Sequence, residues 1–181
     1  MKAVVIALFL SLCSLATSVA QDAPPPRESP LAIITAHYKN TYLKITYCQP
    51  QKKGREIFGK LVPFDQVWRT GANEATEVTI TQDIIVNGTT LKAGTYSLFT
   101  VPGKEKWTII FNSDLGLWGS YNYNPKMDVV RFDAAVTNTL NDLVSESFPI
   151  RIDQKTATAQ IFLMWDKTQV SFPIQFIEPK P

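Results

Sequence analysis

The chain has 181 residues, 45% hydrophobic and 19% charged. That length suits one domain, and that composition excludes disorder along the whole course. Eighteen Lys and Arg against sixteen Asp and Glu leave a net charge of +2, too balanced for a nucleic-acid surface unless one face is locally basic, and one histidine with two cysteines excludes zinc fingers, iron–sulfur clusters and multi-histidine metal centres.

The chain opens with a basic pair, Met1-Lys2, and an apolar run at residues 3–12 (AVVIALFLSL). Ser18-Val19-Ala20 then sets small residues where a signal peptidase reads, predicting cleavage before Gln21 and export to the periplasm or the outside. The run is about half the twenty or so residues a membrane-spanning helix needs, and no later stretch is longer, so no membrane span is expected in the mature chain. Lipidation at Cys13 is the alternative, disfavoured by Leu12 where such a site takes a small residue. Cleavage leaves Cys48 as the single cysteine, with no internal disulfide. Residues 21–30 (QDAPPPRESP) read as a proline-rich linker, which places the folded domain at 31–177.

Beyond the linker, apolar residues recur with period two between Gly, Pro, Asn and Asp, the pattern of short antiparallel strands. A turn at Lys39-Asn40 sets Tyr38 opposite Thr41 and puts Ile34, Ala36, Leu43, Ile45 and Tyr47 on one face. Residues 76–81, 84–86, 128–136 and 144–153 read as strands, with Asn87-Gly88 as a tight turn. A turn at 102–105 pairs Val101 with Lys106. It leaves Tyr96, Leu98, Trp107, Ile109 and Phe111 on one face and Phe99 and Ile110 on the other, as in a strand pair covered on both sides. A turn at 166–169 aligns Trp165 with Val170, Leu163 with Phe172 and Ile161 with Ile174. Pro173 cannot donate a ladder hydrogen bond and argues for an edge strand. Nine or ten strands with no long helix point to an all-β fold, an antiparallel β-sandwich of jelly-roll type, with a closed barrel as the alternative. Residues 54–64 and 67–74 do not alternate, and loops are where such folds place function.

The loop at 68–74 is the densest polar cluster: Trp68, Arg69, Asn73 and Glu74 around Gly71. Arginine offers a rigid fork of donors, asparagine a donor and an acceptor, glutamate an acceptor. Arg55 lies in the preceding loop, and Trp118, Tyr121 and Tyr123 concentrate aromatic surface further on. The run GR-x-IFG-x-LVP, then WRTGANEAT at 68–76, AGTYSLFTVPG, W-x-IIFN and WG, in this order, resembles the bacterial secreted domains classed as domain of unknown function 2911. The resemblance covers about 29–176. It implies a β-rich extracytoplasmic domain and no particular reaction.

These residues support a non-catalytic binder of a carbohydrate or small polar molecule, held by Arg55, Trp68, Arg69, Asn73, Glu74, Trp118, Tyr121 and Tyr123. No catalytic constellation, metal or cofactor is assigned. A hydrolase or lyase using Glu74 with Arg55 or Arg69 is the second reading, and an envelope protein acting through a sheet edge the third. Against a site stands the bland account, in which Arg69 and Glu74 brace their loop as an ion pair. His37 and Cys48 fall too far apart in the first hairpin for a catalytic dyad. Glu74 with Glu77, and Asp114 with Asp128 and Asp133, are weak patterns for glycoside hydrolysis and for calcium.

Overall fold

The computed structural model describes residues 25–138 and 143–177. The expected signal peptide, its cleavage site, Cys13 and the first part of the linker lie outside them. Eleven strands are described: β1 (Leu31–Tyr38), β2 (Thr41–Cys48), β3 (Ala72–Ile80), β4 (Ile84–Val86), β5 (Thr89–Leu91), β6 (Gly94–Val101), β7 (Lys106–Asn112), β8 (Asp128–Asn138), β9 (Ile150–Lys155), β10 (Thr158–Trp165) and β11 (Thr168–Phe176). One 3-10 turn at Pro125–Met127 is the sole helical element among them. No helix among the described residues is long and apolar enough to cross a membrane.

The strands form one antiparallel sheet in the order β1-β2-β3-β6-β7-β8-β11-β10-β9, with β4 on β11 and β5 on β4. The sheet rolls until β1 and β9 lie side by side, and Gln154 Nε2 donates to the His37 carbonyl across the gap at 3.0 Å. The all-β antiparallel class is as the periodicity implied. The two expected layers are opposite walls of one nearly closed barrel, joined where Val136–Asn138 of β8 pair with Thr168–Val170 of β11. Rolling brings the two free edges together, which shields their unpaired backbone groups.

The first hairpin has the expected register, with Tyr38 opposite Thr41 and Ile34 opposite Ile45. Leu43, Ile45 and Tyr47 are buried, while Thr35 and His37 face water. The other two hairpins slip by two residues. Trp165 pairs with Thr168 and Leu163 with Val170, around a two-residue turn in which Asp166 takes φ 54°. A two-residue turn with positive φ matches the strand twist better than the four-residue turn expected. Val101 pairs with Thr108 rather than Lys106, because the chain before β3 runs antiparallel beside the end of β6. Trp68 and Thr100 exchange both backbone hydrogen bonds there, and Asp65 N donates to the Pro102 carbonyl. A slip of two keeps every side chain on its face, so the buried sets are unchanged.

Pro173 corrects the edge-strand expectation. β11 is interior, paired with β10 on one side and with β8 and then β4 on the other. The Pro173 carbonyl accepts from Asn87 N at 3.1 Å, so its missing N–H faces the junction where β8 has left and β4 begins. The ladder loses nothing there.

The barrel is filled by aliphatic side chains and, toward one end, by a cluster of rings. Trp68 stacks on Trp165 with centroids 6.0 Å apart and meets Trp107, Phe148 and Phe58 edge-on. Phe58 comes from the loop between β2 and β3, where Ile57 and Val62 are also buried and cap this end. A smaller core of Ala75, Phe99 and Ile110 lies on the outer face, covered by Val67, Leu117 and Tyr123. This is the second-face cover expected for the β6–β7 pair.

Candidate functional site

The loop at 68–76 is wound by its own polar groups. Trp68 sinks into the ring cluster and its indole N–H donates to the Gly71 carbonyl at 3.1 Å. Thr70, at φ 53°, bonds Thr100 through paired hydroxyls at 3.2 Å, and Thr76 Oγ1 donates to the Thr70 carbonyl at 2.7 Å. A Cβ at Gly71 would lie 3.1 Å from both the Cys48 carbonyl oxygen and Thr76 Oγ1, so the turn leaves little room there for a larger residue. Much of the WRTGANEAT run is therefore occupied in holding one backbone shape.

Arg69 is the exception. Its side chain lies beside Gly119, whose Cβ, if present, would be 3.6 Å from Arg69 Nη1. Its Nε is buried with no hydrogen-bond partner, and Arg69 forms no salt bridge among the described residues. Leaving such a donor unsatisfied costs on the order of 1–3 kcal/mol.

Arg69 lines a cleft of about 560 Å³ at the ring-filled end of the barrel. Arg55, Trp68, Asn73 and Trp118 line it too, with Arg27, Gln51, Lys53, Leu61, Val62 and Trp165. Arg55 folds back on its own loop, donating from Nε to the Lys52 carbonyl at 3.0 Å and from Nη2 to the Gln51 carbonyl. That loop is fixed to the far wall by Lys52–Asp166 at 2.7 Å and by Lys53 N donating to Glu146 Oε1 at 2.7 Å. Trp118 is held at the rim by backbone bonds on both sides, from Ala75 N to the Leu117 carbonyl and from Gly119 N to the Asn73 carbonyl. Trp118 remains 61% exposed.

Three of the expected residues stand elsewhere. Between the pairs Thr46–Glu77 and Cys48–Ala72, β2 has one residue where β3 has four. This wide bulge re-aims the side chains and turns Glu74 away from the cleft. Arg27 Nη1 donates to both carboxylate oxygens of Glu74, at 2.9 and 2.7 Å, and Glu74 Oε2 accepts from Cys48 Sγ at 3.5 Å. It does not pair with Arg69. The Arg27 guanidinium holds the Glu74 carboxyl below the usual carboxylate range. Tyr121 is 83% exposed and lies outside the cleft lining. Tyr123 packs on Phe99 at 5.1 Å over the outer core and donates to Asp128 Oδ2 at 2.7 Å.

The weaker carboxylate patterns do not converge either. Glu77 accepts from Gly116 N, Asp133 binds Lys106 and Thr108, and Asp128 binds Asn112, Tyr123 and Arg131. The residues missed in the sequence are Arg27, Gln51, Lys53, Leu61 and Trp165. Arg27 sits in a proline-rich run that read as linker, yet Pro30 accepts from Gln49 N and Arg27 latches onto β3. Lys53 flanks Gly54 beside Arg55, a local signal that could have been found. Trp165 reaches the cleft only because β10 ends beneath it.

A β-barrel with an open, cation-rich cleft at one end is thus the class of protein that the fold and site define. The family described as Protein of unknown function (DUF2911) matches residues 29–174, and the chain belongs to it. No curated protein and no solved structure matches the chain.

Proposed function

We propose that the chain is an exported binding protein that takes a carbohydrate or another small polar ligand into the cleft beside Arg69 and Trp118, with no catalytic constellation of its own. The observation that carries this reading is Arg69, a guanidinium in the cleft lining with no hydrogen-bond or salt-bridge partner among the described residues, although its loop neighbours Trp68, Thr70 and Thr76 all have partners. A ligand acceptor at the terminal N–H groups would give this guanidinium a partner. The cleft has the size of small-molecule sites, a few hundred Å³, and its lining combines apolar side chains such as Val62, Trp68 and Trp165 with charged and polar ones.

A hydrolase or lyase built on Glu74 finds less support. A general acid needs a carboxyl raised by burial, and Glu74 is half-exposed, ion-paired and lowered. Action through a sheet edge is likewise less favoured, since β1 and β9 lie against one another. The export half of the proposal rests on the first twenty residues. Sequencing the N-terminus of protein recovered outside the cytoplasm should find Gln21, and a lipid-bearing Cys13 would assign another signal class.

The binding half is tested by thermal shift against sugars, organic acids and divalent cations. A ligand at a hundredfold excess over Kd stabilises by about 2.7 kcal/mol. At least one sugar or organic acid should raise the melting temperature, and Arg69→Ala should abolish that response while the far-ultraviolet circular dichroism stays that of a folded β protein. A ligand whose effect survives Arg69→Ala would place binding elsewhere.

A further inference from the structure

We infer that the ligand is an anion, a small molecule whose carboxylate or other oxyanion sits between Arg55 and Arg69 with a ring or apolar face against Trp118. This rests on the binding reading above and narrows it.

The charge pattern of the cleft points this way. Four cationic side chains line it and one carboxylate, Glu28, does. Arg27 is answered by Glu74 outside the cleft, and Lys53 reaches Glu28 at 3.4 Å. That leaves Arg55 and Arg69. Among the described residues Arg55 has only two neutral backbone carbonyls as acceptors, which take two of its five N–H groups and leave its charge unopposed. Among the described residues Arg69 has neither a hydrogen-bonded acceptor at Nε nor a paired carboxylate. Two guanidiniums facing one concave, partly apolar wall create a positive potential that water screens less than at an open surface. Guanidinium presents the planar fork that carboxylates and other oxyanions fit.

Trp118 adds the second element. Its backbone is fixed on both sides, which keeps the exposed ring at the rim of the cleft. An indole face suits a sugar ring or an aromatic ring. A neutral sugar would draw little from the two guanidiniums, and within the cleft only Asn73 and Gln51 offer neutral side-chain amides to its hydroxyls.

The test is calorimetric titration of the exported protein with D-glucuronate, benzoate, sulfate and D-glucose at fixed ionic strength. These separate a sugar acid, an aromatic acid, a free oxyanion and a neutral sugar. At least one of the first two should bind tenfold or more tighter than glucose and tighter than sulfate, and added NaCl should weaken it. Arg69→Gln and Arg55→Gln should each cost that anion at least tenfold. Trp118→Ala should weaken the ring-bearing anion and leave sulfate unchanged. Should Arg69→Gln fail to fold, Arg55→Gln decides, because its side chain is exposed. Glucose binding as tightly as the anions would overturn the inference and leave the binding reading standing. Failure of all three anions would overturn the inference, and if glucose also failed the binding reading would fall with it.

Discussion

Arg69 and Glu74 lie in one short loop, yet their side chains serve different surfaces. Arg69 faces the cleft and Glu74 answers Arg27. The bland account of this pair, a mutual brace, therefore makes a specific wrong forecast. A double-mutant cycle on stability with Arg69→Ala and Glu74→Ala should give a coupling energy below about 0.5 kcal/mol, as for residues that share no contact. A value above about 1 kcal/mol would restore the brace. At the same scale, Tyr123 gives a pH prediction. Burial and the hydrogen bond to Asp128 push its phenol up to about 12 from an ordinary value of 10.0. The folded state thus holds this proton more tightly than the unfolded chain. Its contribution to stability is intact below pH 10 and is lost as pH rises toward 12. Ultraviolet titration should show one tyrosinate forming near pH 12 that disappears in Tyr123→Phe. Leu163, buried opposite Val170, should cost about 2–5 kcal/mol when changed to Ala, and Gln160→Ala less than about 0.5 kcal/mol. Denaturant titration of the two variants compares them directly.

The elements that build the cleft depend on backbone shapes that side-chain periodicity does not encode. Gly119 follows Trp118 with φ +71°, and a Cβ there would lie 2.8 Å from the Tyr121 ring. Gly119→Ala should therefore destabilise by about 1–2 kcal/mol and should also loosen the Trp118 rim. Thermal melts beside ligand titration check both effects. A variant with unchanged stability would show that the loop re-forms with another residue at φ > 0. The three hairpins show what strand-level reading captures. Facial alternation in the sequence assigned Leu43, Leu98, Phe111, Leu163 and Phe172 to buried faces, and all are buried. Register was missed by two residues in two hairpins, because turn length follows backbone twist and neighbouring strands rather than the apolar pattern. Pro173 misled for a related reason. A missing donor marks a place with no acceptor opposite, and an interior strand provides one wherever its neighbour changes.

For the whole molecule, burial differs from wall to wall. β6 and β7 carry buried side chains on both faces, while β1 keeps Leu31 and Ile33 exposed beside the β1–β9 seam. Amide hydrogen exchange should be slowest in β6 and β7 and faster in β1, with the seam as the first part of the barrel to open. Uniform protection of β1 and β7 would mean that the seam is as closed as any other strand pair.

Local chemistry determined much of this protein. Period-two alternation set the all-β class and nearly every buried face, because a strand buries alternate side chains whatever its partner. It also singled out Arg55, Trp68, Arg69, Asn73 and Trp118, since a loop that carries an arginine, an indole and a glycine together is unusual wherever it lies. Only the tertiary structure decided which of these share a cleft. The bulge between β2 and β3 sends Glu74 to Arg27, and Tyr123 is drawn to the outer core over Phe99. The rolling of the sheet brings Trp165 and the residue 25–30 segment beside Arg69. Such contacts join residues tens of positions apart, brought together by the pairing of strands. No local pattern of side chains carries their direction.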